Sequence, residues 1–376
     1  MNRYLMTPGP VPVSREVSLH ETRALIGHRG RQFSDLFSGI EEKLSRLLQS
    51  GGKTVIFPAS GTGSLESLAM NFTGPDTSVI SVSCGVFGDR LREITALTGA
   101  RMINVDVAPG DGVRPGVVAA AVKSNPDASV LLLTQNETST GVFNRIDEII
   151  GELPKEGRPL VLVDGVSSVG AMPCFPEKWG IDGLATASQK GLLSPPGLGL
   201  VWLSERGWET VSRRKCASYY FDLSLQKTYL YKDAPENPYT PPVSLYFALS
   251  AALDEITSDG WFDERARAAR SLAAGIESLG FELLVRDEKF RSPGVTAFSH
   301  PSGETSAILK RLKEIGVEPA GGQGKFKDSL IRVSHYHDVR WPEISLALGS
   351  LYAALGDARK GAGDFMRRAF EAWEAK

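Results

Sequence analysis

Cysteine is scarce in this 376-residue chain: Cys84, Cys174 and Cys216 are widely spaced, odd in number and form no CxxC pair. That speaks against a disulfide framework and a cysteine-based zinc site, and it fits a reducing compartment. No run approaches the about 18 consecutive apolar residues that a membrane span requires. The opening MNRYLMTPGPVPVS has no apolar signal core, so a soluble cytoplasmic protein is expected. A charge excess is missing too. Lys and Arg number 42 against 44 Asp and Glu, a net charge of −2 without a basic block, which argues against nucleic acid as the main partner. Hydrophobic residues make up 42% and charged residues 23%, so disorder is not expected and the length suffices for two domains around a large core. There is neither an internal repeat nor a low-complexity segment.

Beyond the Pro-rich Thr7–Ser14 stretch, which is extended and reads either as a surface tail or as an arm laid along another surface, apolar residues Phe33, Leu36, Phe37, Ile40, Leu44, Leu47 and Leu48 recur at helical spacing. From Thr54 onward strand-like and helix-like segments alternate. The strand candidates are Thr54–Phe57, Ser78–Ser83, Met102–Val107, Ser129–Thr134, Leu160–Asp164, Gly183–Ala187 and Gly199–Leu203. Several are unbroken Val/Ile/Leu runs, the pattern of strands covered on both faces. This half therefore reads as a mainly parallel, doubly wound α/β sheet. Arg213–Pro242, rich in aromatics and ending in ENPYTPPVS, reads as a long functional or interfacial loop. Helices are expected at Val243–Ile256 and Phe262–Leu279, with a domain boundary near Ser258-Asp259-Gly260. Beyond it FELLV, GVTAFS and SLIRVSH read as strands and Thr305–Ile315 and Pro342–Leu355 as helices, making a small α+β domain. A polar GDARKGAGD break precedes the last helix.

The stretch from Asp164 to Lys190 concentrates the chemistry. A carboxylate ends one buried strand and a lysine follows another, at a spacing that suits a single crossover unit. Such a unit brings both residues to the carboxyl edge of the sheet, where ligands bind. A lysine able to lose its proton forms Schiff bases, and a buried carboxylate can keep a pyridine nitrogen protonated. Together they point to pyridoxal phosphate.

Other motifs supply accessory groups. Ser60-Gly61-Thr62-Gly63 leads from a strand into a helix, a place where backbone N–H groups receive an anion; an N-cap without ligand is the alternative. Glu66 stands where a dinucleotide fingerprint needs its third glycine, so one phosphate fits better than two. Phe87 follows a strand at the same edge and either stacks on a flat cofactor or fills the core. Thr138 could hydrogen-bond a ligand oxygen or belong to an ordinary polar loop. Arg332, in an apolar strand-like run, requires an anionic partner: an internal Asp or Glu, or a substrate carboxylate. His335 and His337 share one face, with no third ligand clustered near them, so no metal site is expected.

TPGPVPV, SGTGSLE at Ser60, CGVFGDR at Cys84, NETSTGV at Asn136, VDGVSSVG at Val163, SQKGLLSPPGLGLV at Ser188 and GGQGKFKDSLIRVSH at Gly321 together resemble the class V aminotransferases of pyridoxal-phosphate fold type I. The resemblance spans nearly the whole chain and is strongest to the alanine–glyoxylate, serine–glyoxylate and serine–pyruvate group. It implies a large domain with a mainly parallel seven-stranded sheet at 16–258, an arm at 1–15, and a smaller α+β domain at 259–376. It implies that Lys190 carries the cofactor and Asp164 pairs its ring nitrogen. Ser60, Gly61, Thr62 and Gln189 would hold the phosphate, with Phe87 above the ring, Val166 beneath it and Thr138 at its phenolic oxygen. Arg332 matches the residue that takes the substrate carboxylate. Asn237 and Thr240 align with positions that reach the phosphate of a second subunit, implying a homodimer with shared sites and an arm lying across the partner. Two positions depart from the pattern: Phe87 stands where close relatives have Trp, and Asn237 where they often have Tyr.

The activity implied is ping-pong transfer of an amino group from alanine or serine to glyoxylate or pyruvate. Within the same chemistry, 2-aminoethylphosphonate–pyruvate transaminase is the nearest alternative. A lyase or desulfurase is more remote, because a desulfurase needs a cysteine on a loop near the small domain and none follows Cys216. From other classes, a nucleotide-dependent oxidoreductase and a silent binding protein compete; the joint presence of Asp164 and Lys190 argues against the silent one.

Overall fold

A computed structural model describes residues 4–256, 260–337, 340–356 and 364–375. Its strands are, in chain order, β1 Tyr4–Met6, β2 Thr54–Pro58, β3 Ser78–Ser83, β4 Arg101–Asp106, β5 Val130–Thr134, β6 Asn136–Glu137, β7 Val142–Phe143, β8 Leu160–Asp164, β9 Gly183–Ala187, β10 Leu198–Leu203, β11 Glu282–Leu283, β12 Val295–Ser299, β13 Val317–Gly321 and β14 Ile331–Ser334. The seven expected strands form one sheet in the order β2-β10-β9-β8-β5-β3-β4. All neighbours are parallel except β10, which runs against both β9 and β2. Helices over both faces leave β3, β5, β9 and β10 buried at every residue, the reason their sequences do not alternate. At the edge, β4 is largely exposed and reads RMINVD.

The amphipathic helix Arg31–Leu48 buries Phe33, Phe37, Ile40, Leu44, Leu47 and Leu48. It lies on the helix Val243–Glu255, where the Phe33 and Phe37 rings stand 5.2 and 5.8 Å from Tyr246. Arg213–Pro242 is not a plain loop. It contains the helix Leu223–Leu230, capped by Asp222, whose Oδ1 accepts from Ser224 N at 2.8 Å and Leu225 N at 3.1 Å. This helix is only 8 residues long and buries Leu223, Gln226 and Leu230, too brief a stripe to stand out in the sequence.

A second, five-stranded sheet has the order β1-β13-β14-β12-β11. Two of its strands escape the sequence reading. In β13, Pro319 reads against a strand, but its ladder with β14 spans only Ala320 and Gly321, so no bond is asked of the proline. β1 comes from the amino terminus and pairs in parallel with Val317–Pro319. The opening segment is therefore an arm laid along its own chain, not a surface tail. It continues through Ser334 Oγ donating to Thr7 O at 2.7 Å and Val11 N donating to Gln189 O at 3.2 Å.

A smaller core, including Leu272, Ile276, Phe298, Ile331, Leu348 and Trp373, backs this sheet. Val285, Phe290, Val295 and Tyr336 instead join the larger core, so the two parts interlock beyond the expected boundary. Ser258 and Asp259 of that boundary lie outside the described residues, as do residues 357–363 of the polar break.

β8 and β9 are adjacent and parallel, with Asp164 opposite Ala185. The loops that follow them cross backbone to backbone. A Cβ on Gly170 would meet Gly191 O at 2.4 Å, and one on Gly191 would meet Val169 O at 2.3 Å. This crossing draws the residues after both strands toward one point. Gly191→Ala should therefore destabilise the protein by about 1–3 kcal/mol, seen as a lower urea midpoint. Gly349→Ala, in the helix Trp341–Ala354 where a Cβ meets nothing within 4 Å, should instead stabilise it by about 0.4–1 kcal/mol.

Candidate active site

At the carboxyl edge of the large sheet, one cleft is lined by Ser60, Gly61, Thr62, Leu65, Phe87, Arg90, Asn136, Thr138, Asp164, Val166, Ser167, Gln189 and Lys190. β2 delivers Ser60, β3 Phe87, β5 and the β6–β7 hairpin Thr138, β8 Asp164 and Val166, and β9 Gln189 and Lys190. Ser60 caps the helix Gly61–Phe72 through Gly63 N, a long bond of 3.4 Å. The turn packs tightly on the next loop, since a Cβ on Gly61 would stand 2.6 Å from Val166 Cγ1.

Asp164 is buried, with Oδ1 accepting from Val166 N at 2.9 Å. Burial raises its carboxyl to about 6, opposed by that N–H and by the charge of Lys190. Burial likewise lowers the Lys190 amine to about 8; Asp164 opposes this, while Arg332 and Arg90 press in the same direction. Lys190 Nζ lies 5.1 Å from the centre of the Phe87 ring. Its stem is fenced by the arm: a Cβ on Gly9 would stand 3.1 Å from Lys190 Cε, and Gly9 has a φ of +133° that side chains rarely adopt. The segment past Lys190 is closed by Ser188 Oγ, which donates to Pro195 O at 2.6 Å and accepts from Leu198 N at 3.2 Å.

Three sequence candidates stand apart from the cleft lining. Arg332 lies behind it, with Nη1 donating to Thr138 O and Nε to Gly321 O, each at 2.9 Å. Its partners are backbone carbonyls, not the internal Asp or Glu that the sequence left open, and Nη2 belongs to neither bond. Asn237 is buried: Nδ2 donates to Ile56 O at 2.6 Å and Oδ1 accepts from Tyr246 at 2.9 Å. Each end of this amide makes one bond within its own chain. Thr240 is exposed. His335 is a core histidine, its Nδ1 facing Pro293 O at 2.6 Å and its Nε2 facing Thr296 Oγ1 at 3.1 Å, and burial lowers it to about 4.

Sequence reasoning missed Arg90, Asn136, Glu137, Ser167 and Gly9. Arg90 was within reach, because it follows Phe87 by one helical turn, and its guanidinium lies 4.9 Å from that ring. Gly9 reaches Lys190 through the pairing of β1 with β13 and the bond from Val11 N to Gln189 O, contacts between segments distant in sequence.

With this geometry in place, the relatives can be compared. The family model for class-V aminotransferases matches residues 16–339. The chain belongs to this family, and it is an enzyme, a transaminase. A Synechococcus protein named as the small subunit of a soluble hydrogenase is 32% identical, with 94% of this chain and 93% of the relative covered. The L-aspartate–glyoxylate aminotransferase of Paracoccus denitrificans is 29% identical, with 88% and 85% covered. Among solved structures, an alanine–glyoxylate aminotransferase of Nostoc superposes with a TM-score of 0.89 at 27% identity, covering 94% of this chain and 96% of that one. The fold is that of pyridoxal-phosphate enzymes of type I.

A lysine amine lowered to about 8 is half neutral, and therefore nucleophilic, at mildly alkaline pH. Addition of an aldehyde to the apoprotein should thus speed up as pH rises through about 8 and level off well below the about 10.4 of an unperturbed lysine. Asp164 raises the pKa of this amine, so Asp164→Asn should shift the midpoint downward. Stopped-flow absorbance across a pH series measures both.

Proposed function

We propose that the cleft holds pyridoxal 5'-phosphate and that the enzyme moves an amino group from a small amino acid to a small 2-oxo acid such as glyoxylate or pyruvate. The observation that carries this reading is the Lys190 amine and the Asp164 carboxylate meeting in one cleft under the Phe87 ring. The donor set suits a flat aldehyde with a single phosphate. Gly61 and Thr62 begin a helix whose first N–H groups face the cleft edge. Ser60, Thr62 and Gln189 would complete that end through hydroxyl and amide N–H donors. Phe87, Val166 and Thr138 line the same cleft and would cover, underlie and flank the ring. One relative's hydrogenase name finds no support here: among the described residues no group of three or more His, Cys, Asp or Glu is placed to hold a metal.

Bound in the cleft, the cofactor supplies an aldehyde that bonds amines and a ring that draws electrons. Asp164 holds a proton at the ring nitrogen and supplies the negative charge that keeps it there. Lys190 would be the base that takes the proton from the donor's α-carbon. Its lowered pKa suits this exchange at neutral to mildly alkaline pH. Arg332, whose Nη2 takes no part in its two carbonyl bonds, would receive the donor carboxylate and so orient the labile bond for proton removal. The keto product leaves before the 2-oxo acid enters, and the same residues return the proton in reverse.

The chain divides into an arm at 1–15, a large domain at 16–258 and a small one at 259–376, the small one lending Val285, Phe290, Val295 and Tyr336 to the larger core. The enzyme acts as a homodimer in the cytoplasm. The apolar Leu25 and Tyr219, 75% and 73% exposed, support contact with a second copy. Light scattering should give twice the 40.6 kDa of one chain.

The holoenzyme should show a visible band that borohydride bleaches and that Lys190→Ala lacks. Half-reaction spectra with alanine, serine, aspartate and 2-aminoethylphosphonate identify the donor, and parallel double-reciprocal plots identify the ping-pong order. Arg332→Ala should lower kcat/KM by roughly 10- to 100-fold, the worth of a charged hydrogen bond. No bleachable band after addition of cofactor would rule the reading out.

A further inference from the structure

The helix Val86–Ala96, which presents Phe87, begins at Gly85, a residue with no side chain to cap it. A helix start leaves its leading N–H groups unpaired and concentrates partial positive charge. Here the cap comes from another strand. Val86 N donates to Ser139 Oγ, and Phe87 N and Gly88 N both donate to Glu137 Oε2, each at 3.0 Å. Glu137 Oε1 accepts from Ser139 N at 3.0 Å and from the Ser139 hydroxyl at 2.5 Å. Donors thus converge on both oxygens of a carboxylate that is 0% exposed. Burial raises its pKa, while Ser139 and the three N–H groups hold it down. The fit is close: a Cβ on Gly85 would stand 2.6 Å from Glu137 Cδ.

This carboxylate ties together groups that the chain supplies from separate places. Through the first helical turn it fixes the backbone of Phe87. Thr138 follows it directly, and the Thr138 carbonyl receives Arg332 Nη1 at 2.9 Å. The aromatic above the cleft, the polar group at its side and the guanidinium behind it therefore take their relative placement from one buried anion. A glutamine could not substitute without loss, because its amide nitrogen would point at donors.

We infer that Glu137 is a positioning residue for transamination, setting the plane in which Phe87 covers the ring and the site where Arg332 receives a carboxylate. It touches neither cofactor nor substrate. The inference rests on the cleft being a pyridoxal-phosphate pocket.

The test uses holoenzyme reconstituted with pyridoxal phosphate and carrying Glu137→Gln, Glu137→Asp or Ser139→Ala. Visible circular dichroism reads the ring's orientation, kcat and KM are determined separately, and thermal melting follows the fold. Glu137→Gln should keep the borohydride-sensitive band, lose much of its visible ellipticity, and drop kcat on the order of 10²-fold, the cost of a slight misplacement. Glu137→Asp should recover part of the loss, and Ser139→Ala should shift the same signals less. A Glu137→Gln enzyme that melts earlier but keeps wild-type ellipticity and kcat makes Glu137 a mere helix cap and overturns the inference. Should that variant fail to fold, Ser139→Ala decides: unchanged ellipticity and kcat overturn the inference, and a fall in both supports it. A wild-type protein without the borohydride-sensitive band overturns the inference together with the cofactor reading, an outcome separate from the rest.

Discussion

A carboxylate and an amine, both withdrawn from water, face the same cleft from the ends of neighbouring parallel strands. Each would be more comfortable neutral: burial pushes the Asp164 carboxyl up and the Lys190 amine down. Their mutual attraction works against that tendency, and the loop crossing at Gly170 and Gly191 keeps them from drifting apart. The protein thereby holds an amine that gives up its proton readily beside an acid that keeps a negative charge within reach. That combination is unstable alone and useful with a flat, electron-poor molecule between the two.

Two helices begin at this sheet edge, and the chain treats them differently. The start of Val86–Ala96 is saturated by Glu137 and Ser139, so it attracts no further anion and serves as a rigid mount for an aromatic ring. The start of Gly61–Phe72 has only a long bond to Ser60, leaving its field open to a phosphate. Identical secondary structure thus yields an anchor in one place and a receptor in the other. The difference lies in whether a neighbouring strand brings an acid.

Much of this was readable from the residues. Buried parallel strands betray themselves by unbroken Val/Ile/Leu runs, so the seven strands of the large sheet stood out within a residue or two, and with them Asp164, Lys190, Ser60 and Phe87 at one edge. What stayed hidden depends on contacts between distant segments. The pairing of β1 with β13 puts Gly9 on Lys190, and neither Pro319 nor a three-residue strand announces itself. Asn237 was singled out by its alignment with family positions, and nothing in its Pro-rich surroundings signals the bonds it makes to Ile56 and Tyr246. Glu137 passed as one polar residue in a polar run, since its role is visible only when the helix start it caps folds against it.

The arm that fences Lys190 also fixes an order of events. β1 is made long before the strand it pairs with, Val317–Gly321. Until β13 has emerged and folded, the opening residues have no ladder to join, and the wall they raise beside the lysine is missing. During synthesis, then, the reactive amine stands less confined than in the finished enzyme, and maturation of the cleft waits on the far end of the polypeptide.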